Sequence, residues 1–78
     1  MTTNQQRDKR QRFLSLANKR VNRAIKELAL VGNLSNRRNY DYTDEEAKKI
    51  IRSLQVELER VRHCFKVETE LSKRKFEI

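Results

Sequence analysis

Several residue types that shape or equip small proteins are scarce in this 78-residue chain, which has no proline, one glycine, one cysteine and one histidine. The single cysteine, Cys64, excludes an internal disulfide and a cysteine-rich metal site. We expect it to be a small, buried apolar residue. The single glycine excludes a glycine-rich phosphate loop.

The side-chain groupings on which enzymes depend are also missing. His63 is adjacent to Cys64, and neighbouring residues of a helix point to different faces, so the two cannot form a nucleophile pair. Glu57 and Glu59 are two residues apart, a spacing that directs their carboxylates away from each other on a helix. No metal-ligand spacing is present. We therefore predict that the protein is not an enzyme and uses no cofactor or metal.

Long apolar segments are absent as well. The longest apolar run, Leu28–Val31, is far shorter than a membrane-spanning helix. The polar first six residues lack the apolar core of a signal peptide. These features predict a soluble, cytoplasmic protein without a membrane partner. They also make the glycosylation triplet at Asn33 accidental.

The chain has the length of one small domain, and with 36% hydrophobic and 38% charged residues its core must be thin. Apolar residues recur in steps of three and four, which is the pattern of one helix face. The first such stripe comprises Leu14, Ala17, Val21, Ala24, Leu28 and Val31. It predicts a helix over about residues 8–31, with residues 1–6 outside it. Gly32 follows directly, and we expect it to provide a left-handed cap.

Residues 32–42 are rich in asparagine and predict a structured connection. Thr43 and Glu46 then have the spacing of a capping box, in which each side chain accepts from the other residue's backbone N–H. A second apolar stripe follows at Ala47, Ile50, Ile51, Leu54, Leu58, Val61 and Phe65. With no proline or glycine to end it, we predict a second helix over about residues 43–74. The fold class predicted is all-α: a single antiparallel two-helix hairpin domain over 1–78.

Positive charge is concentrated in the first half of the chain. Residues 1–42 carry a net charge of +7 and residues 43–78 carry +1, which together give the total of +8. On a helical wheel, one sector of the first helix, opposite its apolar stripe and with Glu27 at its edge, contains five cations. These are Lys9, Arg12, Lys19, Arg23 and Lys26, here called the basic ridge. Such a ridge can follow a phosphate backbone, or it can be an ordinary solvated face, or it can bind an acidic protein or membrane surface.

The connection between the helices offers further candidate contacts. Arg37 and Arg38 can contact phosphates or base edges, and Tyr40 and Tyr42 can stack on bases. Alternatively, the tyrosines cover the end of the hairpin while the asparagines satisfy backbone groups.

A second apolar patch lies away from the main stripe of the second helix. Val56, Val67 and Leu71 are either scattered exposed residues or a seam for self-association. A single hairpin of this size is marginally stable, so we expect either a homodimer with a four-helix arrangement or docking on a larger partner. Phe76 and Ile78 can extend this patch.

The run of residues 32–43, with the sequence GNLSNRRNYDYT, resembles a pattern in short helical-hairpin proteins of bacterial phages, prophages and plasmids. The resemblance covers roughly residues 13–65. It implies an accessory role in the biology of a mobile element and transfers no functional residue.

From these features we expect a small basic accessory protein that binds nucleic acid with little sequence preference. The alternative is an adaptor or inhibitor that binds a host protein through its apolar surface. A third interpretation is a purely structural oligomerisation element.

Overall fold

The computed structural model of the protein describes the backbone of residues 2–73 and the side chains of residues 7–73. Within that range the chain forms two α-helices and no strand. The all-α class is therefore confirmed. Helix α1 spans Thr2–Asn33 and helix α2 spans Asp44–Lys73. They fall in two compact units, Met1–Asp41 and Tyr42–Ile78. The predicted end near Arg74 and the possible contacts of Phe76 and Ile78 lie outside the described residues.

Helix α1 is longer than its apolar stripe. It begins at Thr2, ahead of the predicted start near Asp8, so residues 2–6 are helical rather than outside the helix as expected. No proline interrupts this segment and Gln5 and Gln6 are good helix formers, which allows the helix to extend ahead of the apolar residues, although Thr2, Thr3 and Asn4 have low helix propensity. No acidic residue stands in its first turn and no basic residue in its last, so side-chain charge does not complement the helix dipole.

The left-handed cap expected at Gly32 is wrong. Gly32 lies inside α1 and does not have a positive φ angle. Instead, the helix ends by tightening its hydrogen-bonding pattern. The N–H groups of Leu34 and Ser35 donate to the carbonyls three residues back, at Val31 and Gly32, over 3.0 and 3.1 Å. This short-range pattern satisfies carbonyls that a left-handed cap would otherwise serve.

The start of α2 confirms the predicted capping box. The N–H of Thr43 donates to Oε1 of Glu46 over 2.8 Å, and the N–H of Glu46 donates to Oγ1 of Thr43 over 3.1 Å. The N–H of Ala47 donates to the Thr43 carbonyl over 3.1 Å, which is the first bond of the helical ladder. These hydrogen bonds lower the pKa of Glu46, the larger contribution coming from the Thr43 backbone N–H. The sequence of residues 43–46 thus fixes where α2 begins.

Neither helix buries its apolar stripe within the described structure, where no side chain of residues 7–73 is buried. Ile25 of α1 and Phe65 of α2 remain 58% and 60% exposed. Cys64 is exposed too, so the expectation of a buried cysteine is wrong; it lies beside the main stripe of α2 rather than in it. Two amphipathic helices with accessible apolar faces are the main architectural result.

Candidate nucleic-acid interface

The basic ridge lies on one uninterrupted helix. All five of its cations belong to α1 and are exposed. Because α1 is a continuous helix across them, the wheel places them in one sector on the side away from the apolar stripe. Arg12, Lys19 and Lys26 follow each other at intervals of seven residues, which corresponds to about 10.5 Å of helix between neighbours.

Not every residue in this sector is a cation. Asp8 lies at one edge and Glu27 at the other, and Leu16 and Leu30 lie between ridge cations on the wheel. Both leucines are exposed, at 36% and 52%. The ridge is therefore a cationic surface with two apolar interruptions, which the charge pattern alone did not indicate.

The ridge cations have no carboxylate partner within residues 7–73, and none of them makes a hydrogen bond there through its side chain. Several are neighbours at helical spacing, as Lys19 is to Arg23 and Arg23 is to Lys26. Like charges at these spacings repel each other by a few tenths of a kcal/mol per pair. Among residues 7–73 this row of positive charge is therefore not neutralised by ion pairs, and a polyanion would relieve its repulsion.

In helix α2, by contrast, several cations form ion pairs with glutamates. Lys48, Arg60 and Arg62 each pair with a glutamate three residues earlier in the same helix, at N···O distances of 3.9, 2.6 and 3.5 Å respectively. Arg60 also donates from Nε to Glu57 over 2.8 Å. This hydrogen bond, with the attraction between the charges, lowers the pKa of Glu57 and raises the pKa of Arg60. Over Thr2–Asn33 the net charge is +6, whereas over Asp44–Lys73 it is zero.

The connection is organised around Asn36. Its side-chain Oδ1 accepts a hydrogen bond from the N–H of Arg38 over 3.0 Å. Its carbonyl accepts from the N–H groups of Asn39 and Tyr40 over 3.1 and 3.0 Å. Asparagine commonly stabilises turns in this way, by substituting its side chain for a backbone acceptor. The prediction that asparagine satisfies backbone groups here is confirmed for Asn36.

An open cleft of about 370 Å³ lies on this turn and is lined by residues 37–41. It brings Arg37 and Arg38 together with Tyr40, whose side chain is 47% exposed. Tyr42 lies in the second unit, is less exposed, and does not line the cleft. The two tyrosines that the sequence treats alike thus occupy different environments.

Asp41 was missed as a candidate, although it lines the same cleft. A signal for it exists in the sequence, because it is the only carboxylate residue between Glu27 and the start of α2. Its presence gives the cleft one hydrogen-bond acceptor of negative charge among the cations.

The second apolar patch lies on α2, where Val56, Val67 and Leu71 are 63%, 36% and 54% exposed. No grouping of three or more potential metal ligands occurs among the residues that the structure describes. In that same part of the chain, neither helix has the length and apolar character needed to cross a membrane. No protein-family model, curated protein or solved structure matches this chain.

Proposed function

We propose that the protein binds nucleic acid through α1 and the connection, mainly by sequence-tolerant contacts to the phosphate backbone. The observation that carries the proposal is the row of five exposed cations, none with a carboxylate partner among residues 7–73, on a helix of net charge +6. A helix needed only for solubility would more often mix both signs, as α2 does.

The spacing of the ridge supports a strand as ligand. Phosphates of one strand in a B-form duplex follow each other every 3.4 Å or so along the axis, so about 10.5 Å between ridge cations corresponds to roughly three nucleotides. From Lys9 to Lys26 the ridge extends about 25 Å. A strand lying along α1 can therefore meet one cation every few nucleotides without its bases being read.

We further propose that the two helices pair as an antiparallel hairpin through their apolar stripes. The stripe positions of both helices alternate steps of three and four, which suits helix–helix packing. Beyond its apolar residues, the α1 stripe continues with Arg7 and Arg10, and that of α2 continues with Glu68. An antiparallel pairing brings these opposite charges together, and it leaves the basic ridge on the outer side of α1.

The exposed second patch on α2 supports a homodimer formed by that helix. We expect the replacement of Val67 and Leu71 by serine to convert a dimer to a monomer in light scattering, because each change removes apolar area from the seam. If the variant loses capture of a host protein and keeps its oligomeric state, the patch serves the alternative function of an adaptor or inhibitor.

The test of nucleic-acid binding is a mobility-shift titration with single-stranded and double-stranded oligonucleotides at two salt concentrations. Electrostatic binding predicts a steep loss of affinity with salt. A flat salt response, or no binding at low salt, would contradict the proposal. The pattern of the connection further suggests an accessory role in the replication, transcription or packaging of a mobile element.

A further inference from the structure

We infer that the cleft at residues 37–41 binds one unpaired base, so that the protein prefers single strands to duplexes. This inference rests on the proposed function and names the ligand of one part of the same surface. The cleft is open to solvent and has a volume of about 370 Å³. It lies wholly within the first unit of the chain.

Three backbone N–H groups of the cleft already form hydrogen bonds within the turn. The N–H groups of Arg38, Asn39 and Tyr40 all donate to Asn36, which holds the segment in one conformation. Those N–H groups therefore do not form a nest that could hold a phosphate. Side chains are the groups the cleft offers for recognition, and these include an aromatic ring, an amide and a carboxylate besides the arginines.

Tyr40 is the residue best suited to stack on a base. Its backbone is fixed by the 3.0 Å hydrogen bond to the Asn36 carbonyl, while nearly half of its side chain is exposed. Because the turn holds the backbone that carries the ring, stacking should cost less conformational freedom than it would in an unstructured loop, which favours binding.

A cleft that accepts one base would favour single strands over duplexes. The base of a duplex is paired and stacked, and extracting it costs a few kcal/mol in general. An unpaired base enters without that cost, while its neighbouring phosphates can contact Arg38 in the cleft lining. Stacking is sequence-tolerant because every base has a π-face, which agrees with a backbone-directed protein.

The experiment uses the full chain and two short thymidine oligonucleotides of equal length. One has all its bases, and the other has abasic sites at its central positions, so that both carry the same number of phosphates. We expect the intact oligonucleotide to bind roughly five- to hundredfold more tightly. Tyr40→Ala should abolish that difference, whereas Tyr40→Phe, which keeps the ring, should retain it.

Tyrosine fluorescence gives an independent readout, because the chain has no tryptophan and only two tyrosines. In a Tyr42→Phe background, Tyr40 is the only source, and the intact oligonucleotide should quench it while the abasic one and a blunt duplex should not. Equal affinity for both oligonucleotides without quenching overturns the base cleft and leaves backbone binding in place. Absence of binding to either oligonucleotide at low salt overturns both proposals.

Discussion

Neutralising two cations of the basic ridge should change the salt dependence of binding by a defined amount. Arg23 and Lys26 are neighbours on the ridge, and neither has a carboxylate partner in the described structure. If the five ridge cations each contact one phosphate of a duplex, the logarithm of the binding constant falls with a slope of about −4.5 against the logarithm of salt concentration. Replacing both residues by glutamine should bring this slope to about −2.7.

The slope translates into a readily measured difference. Between about 50 mM and about 200 mM salt, the unmodified protein should lose roughly 500-fold in affinity for a duplex, and the double variant only roughly 40-fold. Reversal of both residues to glutamate should weaken binding further, because it adds repulsion from the phosphates. The assay is a mobility-shift or anisotropy titration over a series of salt concentrations.

A matched control removes the same formal charge from α2. Arg60 and Arg62 are already paired with Glu57 and Glu59, so replacing the two arginines by glutamine should leave the slope nearly unchanged. If both double variants change the slope equally, net charge rather than the ridge governs binding. That result would refute the reasoning from α1.

Four further predictions concern the cap, the pairing of the helices and the cleft. Thr43→Ala should reduce the stability of α2 by about 1 kcal/mol, read from helical circular dichroism. The folded-state pKa of Glu46 is lowered, so the stability that its carboxylate contributes is present above the ordinary pKa of 4.5 and is lost as pH falls through the folded value. Glu46→Gln should flatten that part of an acid unfolding titration, and an unchanged titration would contradict this prediction. Spin labels at Cys64 and at a cysteine introduced for Ser15, diluted with unlabelled protein, should lie within roughly 20 Å in an antiparallel hairpin, since packed helix axes are about 10 Å apart; a distance beyond roughly 40 Å would exclude it. Asp41→Asn should strengthen binding to all oligonucleotides. It should also reduce any preference for guanosine over inosine, because inosine lacks the exocyclic amine from which a carboxylate accepts a hydrogen bond. An equal preference in both proteins would show that Asp41 takes no part in base recognition.

The features that sequence predicted well are those fixed by local chemistry. The capping box at Thr43 and Glu46 involves residues three apart, so its hydrogen bonds depend on little else. The apolar stripes likewise predicted both helices, because periodicity expresses the geometry of a single helix. The beginning of α1 at Thr2 was not predicted, since the polar residues before the stripe give no periodic signal and Thr2, Thr3 and Asn4 have low helix propensity.

Other features depend on choices that a residue type leaves open. Gly32 permits a left-handed cap but does not require one, and the chain ends α1 with short-range hydrogen bonds instead. Tyr40 and Tyr42 look equivalent in sequence, and only the turn around Asn36 distinguishes their surroundings. Cys64 was expected to be buried because free cysteines in proteins often are, but α2 has no buried residue in the described structure and Cys64 is exposed.

The ion pairs within α2 affect how closely several protein molecules could bind side by side on one nucleic-acid strand. Three ion pairs of α2, those of Lys48, Arg60 and Arg62, join residues of the same helix, and the net charge of α2 is zero, so much of its positive charge is neutralised within the helix itself. Molecules bound side by side through α1 would then present flanks that barely repel one another. We expect such a protein to coat a strand densely, with its occupancy limited by footprint rather than by electrostatic exclusion between neighbours.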